Sequence, residues 1–174
     1  MRPRSVTLRN VLKSGTARLP THEELAAWRA FLRAHARVTR SLEAELLAEQ
    51  RLSLAAYDVL VQLDAAPGHR LRMTELADAV LLSRSGVTRL VERLERAGLV
   101  VRERSDSDGR GVVAVITQRG RERLRTATGT HLAGVARHFA SVVEDQAELA
   151  ALARACTRLA GDLRPTGTAG PDER

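Results

Sequence analysis

A run of short polar and basic side chains near the middle of the chain carries its clearest chemistry. Ser83, Arg84, Ser85, Thr88, Arg89 and Arg93 surround four apolar residues, Val87, Leu90, Val91 and Leu94. Those four recur at i, i+3, i+4 and i+7, the spacing of one helical face. The polar residues therefore stand at the N-terminal end, opposite that face or flanking it. Arginine pairs in two-pronged fashion with guanine, and serine or threonine hydroxyls bond to bases or phosphates. Gly86 has no side chain, so the backbone there can approach a partner closely. Thr74, at the start of a preceding short helix, offers amides and a hydroxyl to a phosphate. Asp108-Gly109-Arg110 forms the tip of a hairpin. There Asp108 shapes the loop through local bonds to backbone amides, and Arg110 is free to enter a minor groove. Recognition of a DNA duplex is the chemistry these residue types share. The bland alternatives are a solvated helix face, a Glu92–Arg96 pair within one helix, and a turn with no partner.

Positioning these groups takes a helix, a tight turn, a second helix and a hairpin between Thr74 and Thr117. Leu82 to Gly86 reads as the turn. It sets the second helix, Ser85 to Ala97, at a steep angle to the first. The second can then lie in a major groove while the first crosses the backbone. Gly98 closes that helix. Val100 to Arg104 and Val112 to Ile116 are the hairpin strands, rich in β-branched residues. Upstream, Thr21 and Glu24 form a capping box. It opens a helix with Leu25, Trp28, Phe31, Leu32, Val38, Leu42 and Leu46 at helical spacing over about seven turns. A helix that long needs something to pack against, and a partner chain is one candidate. Ser53 caps a second helix with Leu54, Tyr57, Leu60, Val61 and Leu63 inward, stopped by Ala66-Pro67-Gly68. Leu71 to Met73 is a short apolar patch. Thr117 caps a helix whose inner face includes Leu124, Leu132, Val135, Ala136 and Phe139. Glu144 and Asp145 open the last helix, which Pro165 ends. Leu149, Leu152, Cys156, Leu159 and Leu163 form a narrow seam on it, suited to helix–helix contact. The fold class is mostly α with a small β-hairpin wing, a winged helix-turn-helix between long terminal helices. The organisation read from this is a flexible basic arm at 1–20, a helix at 21–50, a winged module at 51–117, two helices at 118–163 and a disordered tail at 164–174.

Charge supports the same reading. The 174 residues carry a net +7. Residues 70–125 hold thirteen basic and eight acidic side chains, and residues 1–20 hold five basic and none acidic. The intervening 21–69 and the final 126–174 are slightly acidic. Positive charge gathered on one module and one arm is what a polyanion surface requires. An acid-free arm also fits an organellar transit peptide, though it lacks a long amphipathic pattern. No apolar run reaches the length of a membrane span and no secretory h-region follows the first arginines. A single cysteine excludes an internal disulfide. Together these place the chain in the cytoplasm. His35, His131 and His138 are too scattered for a metal site, and no cofactor motif is present. Nucleophile–base pairing and a phosphate-cradling glycine loop are also lacking, which argues against an enzyme. A winged helix used only for protein contacts remains the other alternative.

The stretch Leu82-Ser83-Arg84-Ser85-Gly86-Val87-Thr88-Arg89-Leu90-Val91-Glu92-Arg93-Leu94-Glu95-Arg96-Ala97-Gly98-Leu99-Val100 resembles the recognition segment of MarR-type (multiple antibiotic resistance) regulators. Leu52 to Leu60 ahead of it and Asp108-Gly109-Arg110 to Thr117 behind it carry the same resemblance, which covers about residues 21–163. The resemblance implies a homodimer joined through the first and last two helices, with one recognition helix and one wing per subunit on a pseudo-palindromic operator. It also implies a repressor that a small anionic or phenolic effector releases from DNA. The effector would bind at the junction of the helices and the winged module, lined by Trp28, His35, Tyr57 and Asp58. The alternative for these aromatics is core packing. The basic arm is not part of the shared pattern, and the proline usual in the wing is absent, with Ser107 in that region. Some relatives sense peroxide through a cysteine on the first helix. Cys156 lies instead on the last-helix seam, where an inert packing thiol is expected and a symmetric intermolecular pair is the alternative.

Overall fold

A computed structural model describes residues 18–80, 82–104, 111–143 and 145–162. The predicted arm up to residue 17, the wing-tip residues Asp108 and Arg110, Glu144, and the chain from Leu163 onward lie outside the described residues. The elements run α1 (His22–Gln50), α2 (Leu54–Ala65), β1 (Arg70–Arg72), α3 (Met73–Ala79), α4 (Arg84–Arg96), β2 (Val100–Arg104), β3 (Val112–Ile116), α5 (Gln118–Val135) and α6 (Gln146–Asp162). This is the mostly helical fold with a small sheet that the sequence indicates.

Two units divide the chain, one through Arg37 and one from Val38 onward. In the first, the capping box forms as expected. Thr21 N–H donates to Glu24 Oε2 at 2.7 Å, and Glu24 N–H donates to Thr21 Oγ1 at 3.2 Å. Trp28 stacks on Phe31 and Phe31 on His35, with ring centroids 6.1 and 6.4 Å apart.

The second unit holds the core. Leu46, Leu60, Leu63, Leu76, Val87, Val91 and Val100 are fully buried, and Leu90, Leu94, Leu99, Ala114 and Ile116 join them. Ser53 caps α2 through its hydroxyl, which accepts from Ala56 N–H at 3.2 Å. At the other end of that helix, Pro67 and the positive φ of Gly68, +64°, turn the chain. Helix α4 closes in a left-handed turn. Gly98 has φ +71°, its N–H donates to Glu95 O at 2.8 Å, and Leu99 N–H donates to Leu94 O at 2.9 Å. These two bonds satisfy carbonyls that a helix end otherwise leaves open.

Several expectations are corrected. The patch at Leu71 to Met73 is largely a strand, because β1 pairs antiparallel with β3 (Arg70 opposite Val115, Leu71 opposite Ala114). The hairpin of β2 and β3, with Val100 opposite Ile116 and Arg104 opposite Val112, is thus part of a three-stranded sheet in the order β1-β3-β2. Helix α3 begins at Met73, so Thr74 is inside its first turn rather than at its cap. The carboxylate of Glu75 accepts from Arg72 N–H at 3.0 Å and serves that end instead. On α5, Leu132 is 59% exposed and Ala136 is exposed. The helix leaves α geometry there for a π-helical turn at Ala136–Ala140, which shifts the phase of the face. Residues that face inward on α5 are Gly120, Leu124, Ala127 and Gly134.

Candidate nucleic-acid interface

Helix α4 is held by one face and offered by the other. Val87, Leu90, Val91 and Leu94 are all buried. Ser83 is the N-cap, its Oγ accepting from Gly86 N–H at 3.1 Å, and it lies 3.3 Å from Ser85 Oγ. The helix therefore starts one residue before Ser85, and Leu82 to Ser83 are the turn. Arg84, Ser85, Thr88 and Arg89 are exposed along its first two turns. The Thr88 hydroxyl donates to Arg84 O at 2.9 Å, which leaves its lone pairs free to accept. The guanidiniums of Arg84 and Arg89 have no partner among the described residues. Thr74 and Thr88 border one cavity of about 380 Å³ between α3, α4 and the sheet, so the sequence-predicted phosphate group and the helix hydroxyl do come together.

Arg93 points elsewhere. It lines a groove of about 520 Å³ with Arg51, Arg119 and Arg123, over a floor that includes Leu52, Leu90, Leu94 and Leu99. Arg123 donates to Gln50 Oε1 at 3.2 Å. Arg51, Arg93 and Arg119 have no carboxylate partner among the described residues, and Glu122 is the single acid at the rim. Sequence reasoning missed this groove because its arginines come from three separate segments.

It also missed the role of Arg102. This residue pairs with Glu95 and, at 3.5 Å, with Glu92. Glu92 is therefore not the intrahelical partner of Arg96, whose Nε donates to the Glu92 carbonyl at 3.3 Å. Acids three apart on α4 opposite a strand arginine were the available signal. On the sheet, Arg70 and Glu103 pair at 2.7 Å.

The four residues expected around an effector divide between the units. Trp28, 55% exposed, and His35 belong to the first; Tyr57 and Asp58 belong to the second. Tyr57 is buried, with its ring 4.5 Å from that of His131. Burial pushes the Asp58 carboxyl above its usual range; the His131 imidazole pulls it back and the Glu43 carboxylate adds to the rise.

A short helix, a capped turn, a second helix with one wholly buried face, and strands β2 and β3 immediately after it define a winged helix-turn-helix protein. A model of the MarR family matches residues 52–111. Solved structures similar to this chain include AbsC, a MarR family transcriptional regulator from Streptomyces coelicolor. It is 36% identical with a TM-score of 0.77, over 85% of this chain and 99% of that one. Sco3205, a MarR family regulator from the same organism solved in complex with DNA, is 31% identical with a TM-score of 0.80, over 89% and 97%. The transcriptional repressor MprA of Escherichia coli is 31% identical over 81 residues, 47% of this chain and 46% of MprA. The match thus spans about half the length of that curated relative. The chain belongs to the MarR family of transcriptional regulators.

Proposed function

We propose that this chain is a sequence-specific regulator that binds double-stranded DNA as a homodimer and represses transcription in the cytoplasm. The carrying observation is the exposed start of α4, where Arg84, Ser85, Thr88 and Arg89 stand opposite a fully buried face with both guanidiniums unpaired among the described residues. Residues 51–117 are the DNA-binding module in this reading. Thr74 and Ser83 meet phosphates beside those four side chains, and Asp108 and Arg110 shape and supply the minor-groove contact. Residues 21–50 and 118–163 join the subunits. In support, a similar regulator has been solved with DNA, and MprA is a repressor. No helix among the described residues is long and apolar enough to cross a membrane.

Release by a small anionic or phenolic effector completes the reading. The groove of Arg51, Arg93, Arg119 and Arg123 favours it, since an apolar floor beneath the guanidiniums of Arg51, Arg93 and Arg119, which have no carboxylate partner among the described residues, suits an amphipathic anion. Arg93 then belongs to effector binding as much as to DNA.

The test is selection of duplexes from fragmented genomic DNA by the purified protein, followed by gel shift across salt. Binding should weaken steeply with salt, by about 0.9 in logarithmic slope for each phosphate contacted. Arg84→Ala and Arg89→Ala should each lower affinity by about tenfold or more. Retention of no duplex at low salt overturns the proposal.

A further inference from the structure

Arg102 looks in the sequence like one more basic residue of a basic module. Its guanidinium lies at the surface, its side chain 33% exposed, and is already paired with carboxylates of the same chain. Nε donates to Glu95 Oε2 at 2.8 Å, and the second terminal nitrogen reaches the same oxygen at 2.7 Å. The first lies 3.5 Å from Glu92 Oε1. The backbone N–H of Arg102 also donates to Glu95 Oε1 at 3.2 Å. Glu95 therefore grips the strand by both its main chain and its side chain. The Arg102 hydrogen bond holds the Glu95 carboxyl below its usual range.

The geometry gives this clamp work to do. Helix α4 passes to β2 through Ala97-Gly98-Leu99, a turn that fixes where the strand begins. It does not fix the angle at which the strand leaves the helix. Arg102 is the third residue of β2, far enough along to set that angle. Glu92 lies three residues from Glu95 on α4, and one turn from both Arg89 and Arg96. Left unmatched, Glu92 would place a negative charge beside Arg89, on the side offered to phosphates.

We propose that Arg102 is a positioning residue for DNA recognition. Acting through Glu95 and Glu92, it fixes β2 against α4 so that strand and helix meet one duplex in a set relation, and it does not itself touch DNA. This rests on the DNA-binding reading above.

The experiment uses the full chain and two probes, a duplex selected by the wild-type protein and a scrambled duplex of equal length. Wild-type preference for the selected duplex is the entry condition; its absence defeats the DNA-binding reading and not this one. Arg102→Ala should cut the ratio of the two affinities by about tenfold, the scale of one lost base contact, and leave the salt slope unchanged. The exchanged pair Glu95→Arg with Arg102→Glu should recover part of the lost ratio, since it restores the ion pair with opposite polarity. Arg102→Lys keeps the charge but loses the forked grip, so the ratio should fall with it too; this variant decides the matter if the alanine form does not fold. The proposal is overturned if affinity for both duplexes falls equally and the slope drops by about 0.9, the mark of a direct phosphate contact. An unchanged ratio in both single variants overturns it as well.

Discussion

His138 Nε2 lies 2.7 Å from Glu45 Oε1, binding the π-helical turn after α5 to the last part of α1. Arg137 reaches the other carboxylate oxygen at 3.0 Å. The His138 hydrogen bond is the main reason the Glu45 carboxyl is held below its usual range; burial opposes it and Arg137 adds to it. A carboxyl lowered by folding binds fewer protons in the folded state. Its contribution is present above the ordinary carboxylate range and is lost as pH falls through the lowered value. Glu45→Gln should therefore melt below wild type at neutral pH, and the gap should narrow as the pH falls below the ordinary glutamate range. Thermal melts across that span check it. A gap that stays constant with pH would show that the charge of Glu45 is not what matters.

Two glycines of α5 should respond oppositely to the same substitution. A Cβ on Gly120 would meet Leu99 O at 2.2 Å and Ile116 Cγ1 at 2.7 Å. The first is backbone, held where Thr117 N–H also donates to it at 3.0 Å, so it cannot step aside. Gly120→Ala should lower the melting temperature by about 5–10 °C. A Cβ on Gly129 meets nothing within 4 Å. There alanine should raise the melting temperature by about 1–3 °C through helix propensity alone. Melting curves of both variants decide, and a stable Gly120→Ala protein would contradict the close approach.

What the sequence made legible followed from local rules. The four-residue face of α4 and the caps at Thr21, Ser53 and Thr117 each depend on residues within a turn of one another. The features it hid depend on distant partners. Arg70-Leu71-Arg72 becomes a strand only because β3, more than forty residues later, supplies an edge. Arg72 carries no capping side chain type, so the start of α3 slid in the reading to Thr74. Leu132 has the spacing of a core residue, yet the extra residue of a π-helical turn follows it and no described neighbour covers it. In the candidate interface, the exposed arginines of α4 were readable, whereas whether an arginine is free or paired was not. Arg89 and Arg102 look alike until Glu95 is placed beside one of them.

Ser83 and Ser85 are separable by their effects. Ser83 accepts from the Gly86 amide and so satisfies the start of α4, whereas Ser85 is exposed one residue inside it. Ser83→Ala should cost about 1 kcal/mol of stability, a fall of about 2–4 °C in melting temperature. Ser85→Ala should leave the melting temperature unchanged and weaken binding to a selected duplex. Calorimetry beside gel shift distinguishes the two. Equal melting temperatures would remove Ser83 from the capping role.

Helices α5 and α6 leave large apolar side chains uncovered in the single chain: Leu132 is 59% and Leu159 55% exposed. Leu149, Leu152 and Cys156 lie half-buried on the same seam as Leu159. Covering a leucine fully contributes about 1.5–3 kcal/mol, so a second copy would gain from seating on these positions. A glutamate there would instead bring an unpaired charge into the contact. Leu159→Glu should thus shift the protein toward monomer at micromolar concentration, as read by sedimentation velocity. Affinity for a two-half-site duplex should fall with it, because a monomer loses the joint engagement of two recognition helices. Affinity for a single half-site should not change, since α4 itself is untouched. A variant that keeps the dimer mass and full operator affinity would place the subunit contact elsewhere.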